Sequence, residues 1–378
     1  MGYKKIFLSS PHMGGDEEKF IKEAFNSNWI APLGPNVNNF EKEVSKYLGI
    51  KYGAALISGT AAIHMALKAI GIKRGDRILC STLTFSASCN PIIYEGGEPI
   101  FIDSEEESWN MCPYALEKAF LDCEREGKLP KAIIVVHLYG QSANMDKIIE
   151  LCNKYNCKII EDAAESLGAT YKGTQTGTLG DFGIFSFNGN KIITTSGGGM
   201  IVSSNKEKIE KIKFWSTQAR EKERHYEHKE LGFNYRISNI VAGIGRGQIK
   251  VLNERIKKKK EIFETYKEGF KNISDIKMMP IKDYGTPNYW LSCITLSRES
   301  KVKPIDIILA LEKENIEARP IWKPMHMQPL YNKYKFFTNG KKSIAEDIFN
   351  RGVCLPSDTK NTEKDMERII EIIKKLFI

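Results

Sequence analysis

From about residue 50 to 205, short apolar runs of strand length alternate with segments whose apolar positions recur at helical spacing. The runs lie at 77–80, 99–102, 132–137, 158–161, 183–187 and 199–203. Runs rich in Ile, Val and Phe, with no polar residue at every second place, suit strands covered on both faces. Their alternation with helices predicts an α/β fold with a largely parallel sheet. Ligands of such sheets gather at the carboxyl ends of the strands, so chemistry is expected in the residues just after each run.

Behind Ser58-Gly59-Thr60, residues 61–70 place Ile63, Leu67 and Ile70 on one face, as an amphipathic helix should. From Ser238 to Phe270 the positions Ile240, Ile244, Leu252, Ile256, Phe263, Tyr266 and Phe270 recur mostly at three or four residues, which predicts a long helical region. Loops rich in Gly and Pro follow (280–287), then a strand at 289–296, a helix near 305–313 and a terminal helix from Glu363. A chain of 378 residues exceeds what one core usually serves. Two domains are expected: a large one over 1–250 carrying the mostly parallel sheet, and a smaller C-terminal α+β domain over 251–378.

Three segments at strand ends could carry chemistry. Glu161-Asp162-Ala163-Ala164-Glu165 follows the run at 158–160, where a carboxylate can meet a ring nitrogen; its spacing equally fits a capping box from Asp162 to Glu165. Lys191 lies between two sheet strands, after Asn188-Gly189-Asn190 and before a Thr-Ser-Gly-Gly-Gly turn. Ser58-Gly59-Thr60-Ala61 opens a helix, where free amides and the dipole favour a phosphate, or where Ser58 simply caps. Separately each is ambiguous. Together they supply what a ring cofactor bearing a phosphate and an aldehyde needs: an anion cradle, a carboxylate, a lysine amine and an aromatic wall, for which Phe85 is the candidate.

Composition narrows the partners only a little. Lys and Arg number 56 against 47 Asp and Glu, a net +9 that favours anionic ligands. Much of the excess sits at Lys257 to Lys260 and in the Lys-rich C-terminal stretch, which read as solvated helix faces. No zinc finger, RNP-like signature or basic zipper points to nucleic acid. No stretch approaches the roughly 20 apolar residues that cross a bilayer, and residues 1–10 lack a signal-peptide pattern, so a cytoplasmic protein with no membrane partner is expected. The eight cysteines are scattered and read as buried thiols rather than a metal site.

The ordered set Ser58-Gly-Thr-Ala-Ala62, Thr84-Phe-Ser-Ala-Ser88, His137-Leu-Tyr-Gly140, Glu161-Asp-Ala-Ala-Glu165, Gly180-Asp-Phe-Gly-Ile-Phe-Ser-Phe187, Lys191 to Gly199 and Gly232-Phe-Asn-Tyr-Arg236 resembles the DegT/DnrJ-type sugar aminotransferases of fold type I. The likeness runs from about Leu8 to the end of the chain. It implies pyridoxal 5'-phosphate as cofactor, with Lys191 bound to its aldehyde and shuttling the proton, and Asp162 keeping the pyridine nitrogen protonated. Phe85 would stack on the ring, and Thr60, Ala61 and Ser186 would hold the phosphate, with Asn188 beside them. Asn234 would reach the phosphate from a neighbouring subunit, which implies a homodimer with shared active sites. Where many members of the family carry glutamine near the phenolic oxygen, this chain has Glu165, and two facing acceptors repel unless one holds a proton.

Within that family, the segments beginning at Ser10, Ala31, Asn188, Thr217, His225 and Arg319 look most like the 4-aminotransferases of the UDP-bacillosamine pathway. The implied reaction moves an amino group from L-glutamate to C4 of a UDP-linked 4-keto-6-deoxy-N-acetylhexosamine. His12, Arg220, His228, Arg319, Trp322 and His326 are the sugar-nucleotide candidates. Competing expectations are a transaminase acting at C3 or on a GDP- or dTDP-linked keto-sugar, and, from another class, a non-catalytic ligand-binding regulator. The related sugar dehydratases carry histidine in place of the cofactor lysine, and Lys191 argues against that reading.

Overall fold

A computed structural model describes residues 4–378. Its main sheet has eight strands in the order Tyr52–Leu56, Gly199–Ser203, Phe182–Ser186, Lys158–Asp162, Ala132–Val136, Arg77–Ser81, Glu98–Ile102 and Phe336–Phe337. All neighbours from Phe182–Ser186 to Phe336–Phe337 pair in parallel, and Gly199–Ser203 alone runs against both of its neighbours. The central strands are buried along nearly their whole length, as their unbroken apolar runs require. Because one strand is reversed between two parallel ones, the carboxyl ends of Tyr52–Leu56, Arg77–Ser81, Ala132–Val136, Lys158–Asp162 and Phe182–Ser186 all reach the same edge.

Helix Gly59–Ile70 begins where Ser58 Oγ accepts the Ala61 amide at 3.0 Å, and it ends at Gly71 in the left-handed region. It is buried well beyond the predicted stripe: every residue from Ala61 to Leu67 is covered. The expected long helical region is two helices, Asn239–Lys250 and Leu252–Phe270, broken at Val251. Beyond the break, Ile276–Met278, Ser292–Leu296, Gly352–Leu355 and Arg319–Pro320 form a second, antiparallel sheet. Helices Leu252–Phe270, Pro304–Lys313 and Glu363–Lys374 contribute to one apolar cluster with it, including Tyr266, Ile307 and Ile369.

Two segments cross between these sheets. Ile6 bridges Ile316 beside the second sheet, and Phe336–Phe337 adds the outer strand to the first. Lys259 departs from the solvated face expected for 257–260. It is 2% exposed, donating to Ser9 Oγ at 3.1 Å and to the Ser357 carbonyl at 2.6 Å. That lysine ties the N-terminal segment to the helix because its turn faces the joint between the two.

All eight cysteines are buried free thiols. Among the described residues no cluster of His, Cys, Asp or Glu suits a metal ion, and no helix is long and apolar enough to cross a membrane.

Candidate active site

The carboxyl ends of the strands open into a cavity of about 480 Å³. Asp162 ends its strand, and no helix follows it, so the capping-box alternative fails. Its Oδ1 accepts the Ala164 amide at 3.2 Å and its Oδ2 the Ser88 hydroxyl at 2.6 Å. Ser86–Ser88 is a single 3-10 turn just after Phe85, and Phe85 is left 59% exposed with its ring on the cavity wall. A large aromatic that exposed, on the wall of a cavity that also holds a buried carboxylate, could cover one face of a planar ring.

Ser186 ends its strand on the same edge, and the loop that follows carries Asn188, Asn190 and Lys191 into the cavity. Lys191 is largely buried. Its Nζ lies 4.0 Å from the centroid of the Trp290 ring and 4.0 Å from Glu165 Oε1. Burial lowers this amine below the ordinary lysine range, while the carboxylates of Glu165 and Asp162 pull the other way. Burial pushes the Glu165 carboxyl up to about 7, with Lys191 opposing. Glu165 Oε2 accepts the Tyr139 amide at 2.6 Å, which Tyr139 presents from a left-handed backbone (φ 51°).

The expected anion cradle would be made by backbone. Gly59 and Thr60 open their helix, and the first intrahelical bond runs from Ala62 N to Ser58 O at 3.1 Å, so the preceding amides have no helical carbonyl to meet. Gly198 and Gly197 approach from the amino end of the reversed strand. The next glycine is obligatory: a Cβ on Gly199 would stand 2.2 Å from the Ser58 carbonyl carbon.

With this geometry in view, residues 11–374 match the DegT/DnrJ/EryC1/StrS aminotransferase family. The chain is 53% identical, over 99% of its length and 96% of the relative's, to EpsN of Bacillus subtilis (strain 168), whose name calls it a pyridoxal phosphate-dependent aminotransferase. It is 35% identical to the GDP-perosamine synthase of Escherichia coli O157:H7, over 99% of each chain. The solved structure of Helicobacter pylori PseC, an aminotransferase involved in the biosynthesis of pseudoaminic acid, superposes with a TM-score of 0.90 at 25% identity and 99% coverage of each chain.

The chain belongs to the DegT/DnrJ/EryC1/StrS family. Its fold is that of the fold type I sugar aminotransferases, and it is a pyridoxal phosphate-dependent transaminase. The donor set suits that cofactor on physical grounds. A buried carboxylate, an exposed ring, helix-start amides and a lysine lowered toward the free amine face one cavity.

Of the residues singled out from sequence, Thr60, Phe85, Asp162, Glu165, Ser186, Asn188, Lys191 and Trp322 line this cavity. Ala61 sits just behind it, its amide held by Ser58. The remainder lie outside the cavity of a single chain. Asn234 is exposed and bridges Thr217. Arg220 and His228 pair with each other along an exposed loop, Arg220 packing over Tyr226 at 4.3 Å and His228 Nδ1 lying 2.8 Å from the Gln218 carbonyl. Arg319 is held by Glu317, and His12 Nδ1 meets Thr359 Oγ1 at 2.8 Å. His326 is locked between Thr82 Oγ1 (2.6 Å) and Glu346 Oε1 (3.0 Å) and stacks on Phe336.

Sequence reading assigned no role to three residues that build the site. Trp290 floors it under Lys191, with its Nε1 donating to the Asn190 carbonyl at 2.8 Å. Tyr139 supplies the amide to Glu165. Asn288, fully buried, donates to the carbonyls of Glu165 (2.8 Å) and Leu167 (3.0 Å) and accepts the Trp290 amide at 2.9 Å, tying the C-terminal chain to the Glu165 turn. Asn288-Tyr-Trp290, a polar amide and two aromatics just before an apolar run, was the available signal.

Proposed function

We propose that Lys191 is the lysine that binds the cofactor's aldehyde and carries the proton between substrate carbon and cofactor, and that Asp162 faces the pyridine nitrogen. The observation that carries this reading is the convergence, in one cavity, of a lowered lysine amine and a buried carboxylate whose orientation two donors fix. The cofactor supplies an electron sink for the bond broken at the substrate carbon. Asp162 would accept a hydrogen bond from the protonated ring nitrogen and so keep its proton in place. Phe85 covers one face of the ring. Thr60 and its neighbouring amides at the helix start, with Ser186, would hold the phosphate with Asn188 beside them, and Glu165 would lie near the phenolic oxygen. Trp290 and Tyr139 exclude water beneath Lys191. Asn234, exposed in one chain, would complete the cradle of a neighbouring subunit in a homodimer.

For substrates, the reading is L-glutamate as amino donor and C4 of a UDP-linked 4-keto-6-deoxy-N-acetylhexosamine as acceptor, in a cytoplasmic amino-sugar pathway of the bacillosamine kind. Support comes from the sequence segments named above and from the net +9, which favours a diphosphate. Trp322, on the cavity wall 5.9 Å from Phe85 between ring centroids, is the one sugar-nucleotide candidate already at the site. A GDP-linked keto-sugar is the second reading, favoured by the 35% identity to a GDP-perosamine synthase. Incubation with glutamate and a panel of UDP-, GDP- and dTDP-keto-sugars, with the new C–N bond located by NMR, separates them. Turnover of the GDP sugar alone overturns the first reading.

A further inference from the structure

Lys191 Nζ and Glu165 Oε1 face each other 4.0 Å apart on the floor of the cavity. The other carboxyl oxygen is taken by the Tyr139 amide, and Asn288 grips the Glu165 carbonyl, so the acid is fixed from both ends. Asp162, the other carboxylate at this floor, is already engaged by Ser88 and Ala164. A buried ion pair is favourable only with close, well-made hydrogen bonds, and 4.0 Å does not provide them. The amine instead rests over the Trp290 ring.

We infer that Glu165 is the store for the proton that Lys191 sheds before its amine acts as nucleophile or base. In the step, an Nζ–H bond breaks with its electron pair staying on nitrogen, and an O–H bond forms at Oε1; the pair's net charge is unchanged. Rotation about the lysine's last torsions, or one bridging water, closes the gap. The groups that face Glu165 are Lys191 from the 187–198 loop, Asp162 from its strand end, Tyr139 from its turn, and the buried thiol of Cys293 from the second sheet. The two partners shift toward each other, the acid up to about 7 and the amine down, which is the condition for two groups to hold a single proton between them. Glu165 acts through Lys191 and is therefore a positioning residue.

This inference rests on Lys191 being the reactive amine, and the two fail separately. Borohydride trapping of the holoenzyme followed by peptide mapping tests the lysine: a cofactor adduct on residues 189–192 is expected in wild type and in Glu165→Gln alike. The proton store is tested by competitive acetic anhydride labelling of Lys191 across pH, after the cofactor is removed with hydroxylamine and near-UV circular dichroism has verified the fold. Wild type is expected to gain reactivity over two steps spread across several pH units. Glu165→Gln, lacking the store, is expected to gain it in one step displaced to lower pH by about a unit or more, since the neutral amide no longer stabilises the ammonium. Infrared difference spectra of the holoenzyme are expected to show a protonated carboxyl titrating near neutrality that the Gln variant lacks. Coincident labelling profiles, or no such carboxyl, would overturn the inference even if the lysine adduct forms.

Discussion

Ser88 Oγ donates to Asp162 Oδ2 at 2.6 Å, and that hydroxyl lies 2.7 Å from Thr84 Oγ1. Because the serine proton goes to the carboxylate, Thr84 must donate to Ser88, and a relay of two hydroxyls from the Arg77–Ser81 strand end aims one acid. Removing it with Ser88→Ala leaves a buried carboxylate oxygen short of a partner, at a cost of about 1–3 kcal/mol. The variant is expected to fold, lose stability by that amount in urea titrations, and bind cofactor more weakly in absorbance titrations. Unchanged cofactor affinity would deny Asp162 its role at the ring.

Lys191→Ala is expected to abolish transamination with little change in unfolding midpoint, because the side chain stands over an aromatic floor in an open cavity rather than in packed core. Purified variant should lose its cofactor on dialysis and give no borohydride adduct. Near-normal turnover would sink the assignment of this lysine.

How much of this was legible beforehand depended on whether the signal was local. The strand runs, Asp162 at a strand end and Lys191 between two strands follow from patterns a few residues long. The Phe336–Phe337 strand was not visible, since two aromatics carry no period and their place beside Glu98–Ile102 is set by the tertiary packing. Lys259 looked like its three lysine neighbours, and only the arrival of Ser9 and Ser357 from the two ends of the chain buries it. Trp290 and Asn288 belong to the C-terminal half and reach the cavity across the fold, so no spacing relative to Lys191 could announce them. Arg220, His228 and Arg319 stand out through segments that resemble the 4-aminotransferases, and a segment's likeness says nothing about side-chain direction; in one chain they point to local partners.

Gly199→Ala tests the cradle without adding or removing a polar group. The added methyl would meet the Ser58 carbonyl carbon at 2.2 Å and the Gly59 nitrogen at 2.5 Å, backbone atoms that a rotamer change cannot move. Overpacking of this kind costs about 1–3 kcal/mol, and more where backbone must shift. The expected result is a helix start displaced from the reversed strand, with cofactor phosphate affinity reduced at least tenfold and a lowered melting temperature. Full affinity for pyridoxal phosphate would show that the helix start is not the phosphate cradle.

Lys259 should give this protein an alkaline gain in stability. Burial lowers its amine from 10.5 to about 7 in the fold, with Asp358 opposing. Below about pH 7 the lysine is charged in both folded and unfolded chains, and the fold carries the full cost of a buried ammonium. Between about 7 and 10.5 the unfolded chain binds the proton and the folded one does not, so stability rises with pH by at most about 1.4 kcal/mol per unit. Above 10.5 both are neutral and the rise stops. Lys259→Met keeps the length and removes the titration, so the difference in unfolding free energy between wild type and variant is expected to shift in favour of wild type as pH climbs through that window. A difference that stays flat from pH 7 to 10 would mean that the lysine remains protonated in the fold, held by Ser9, the Ser357 carbonyl and Asp358 strongly enough to offset its burial.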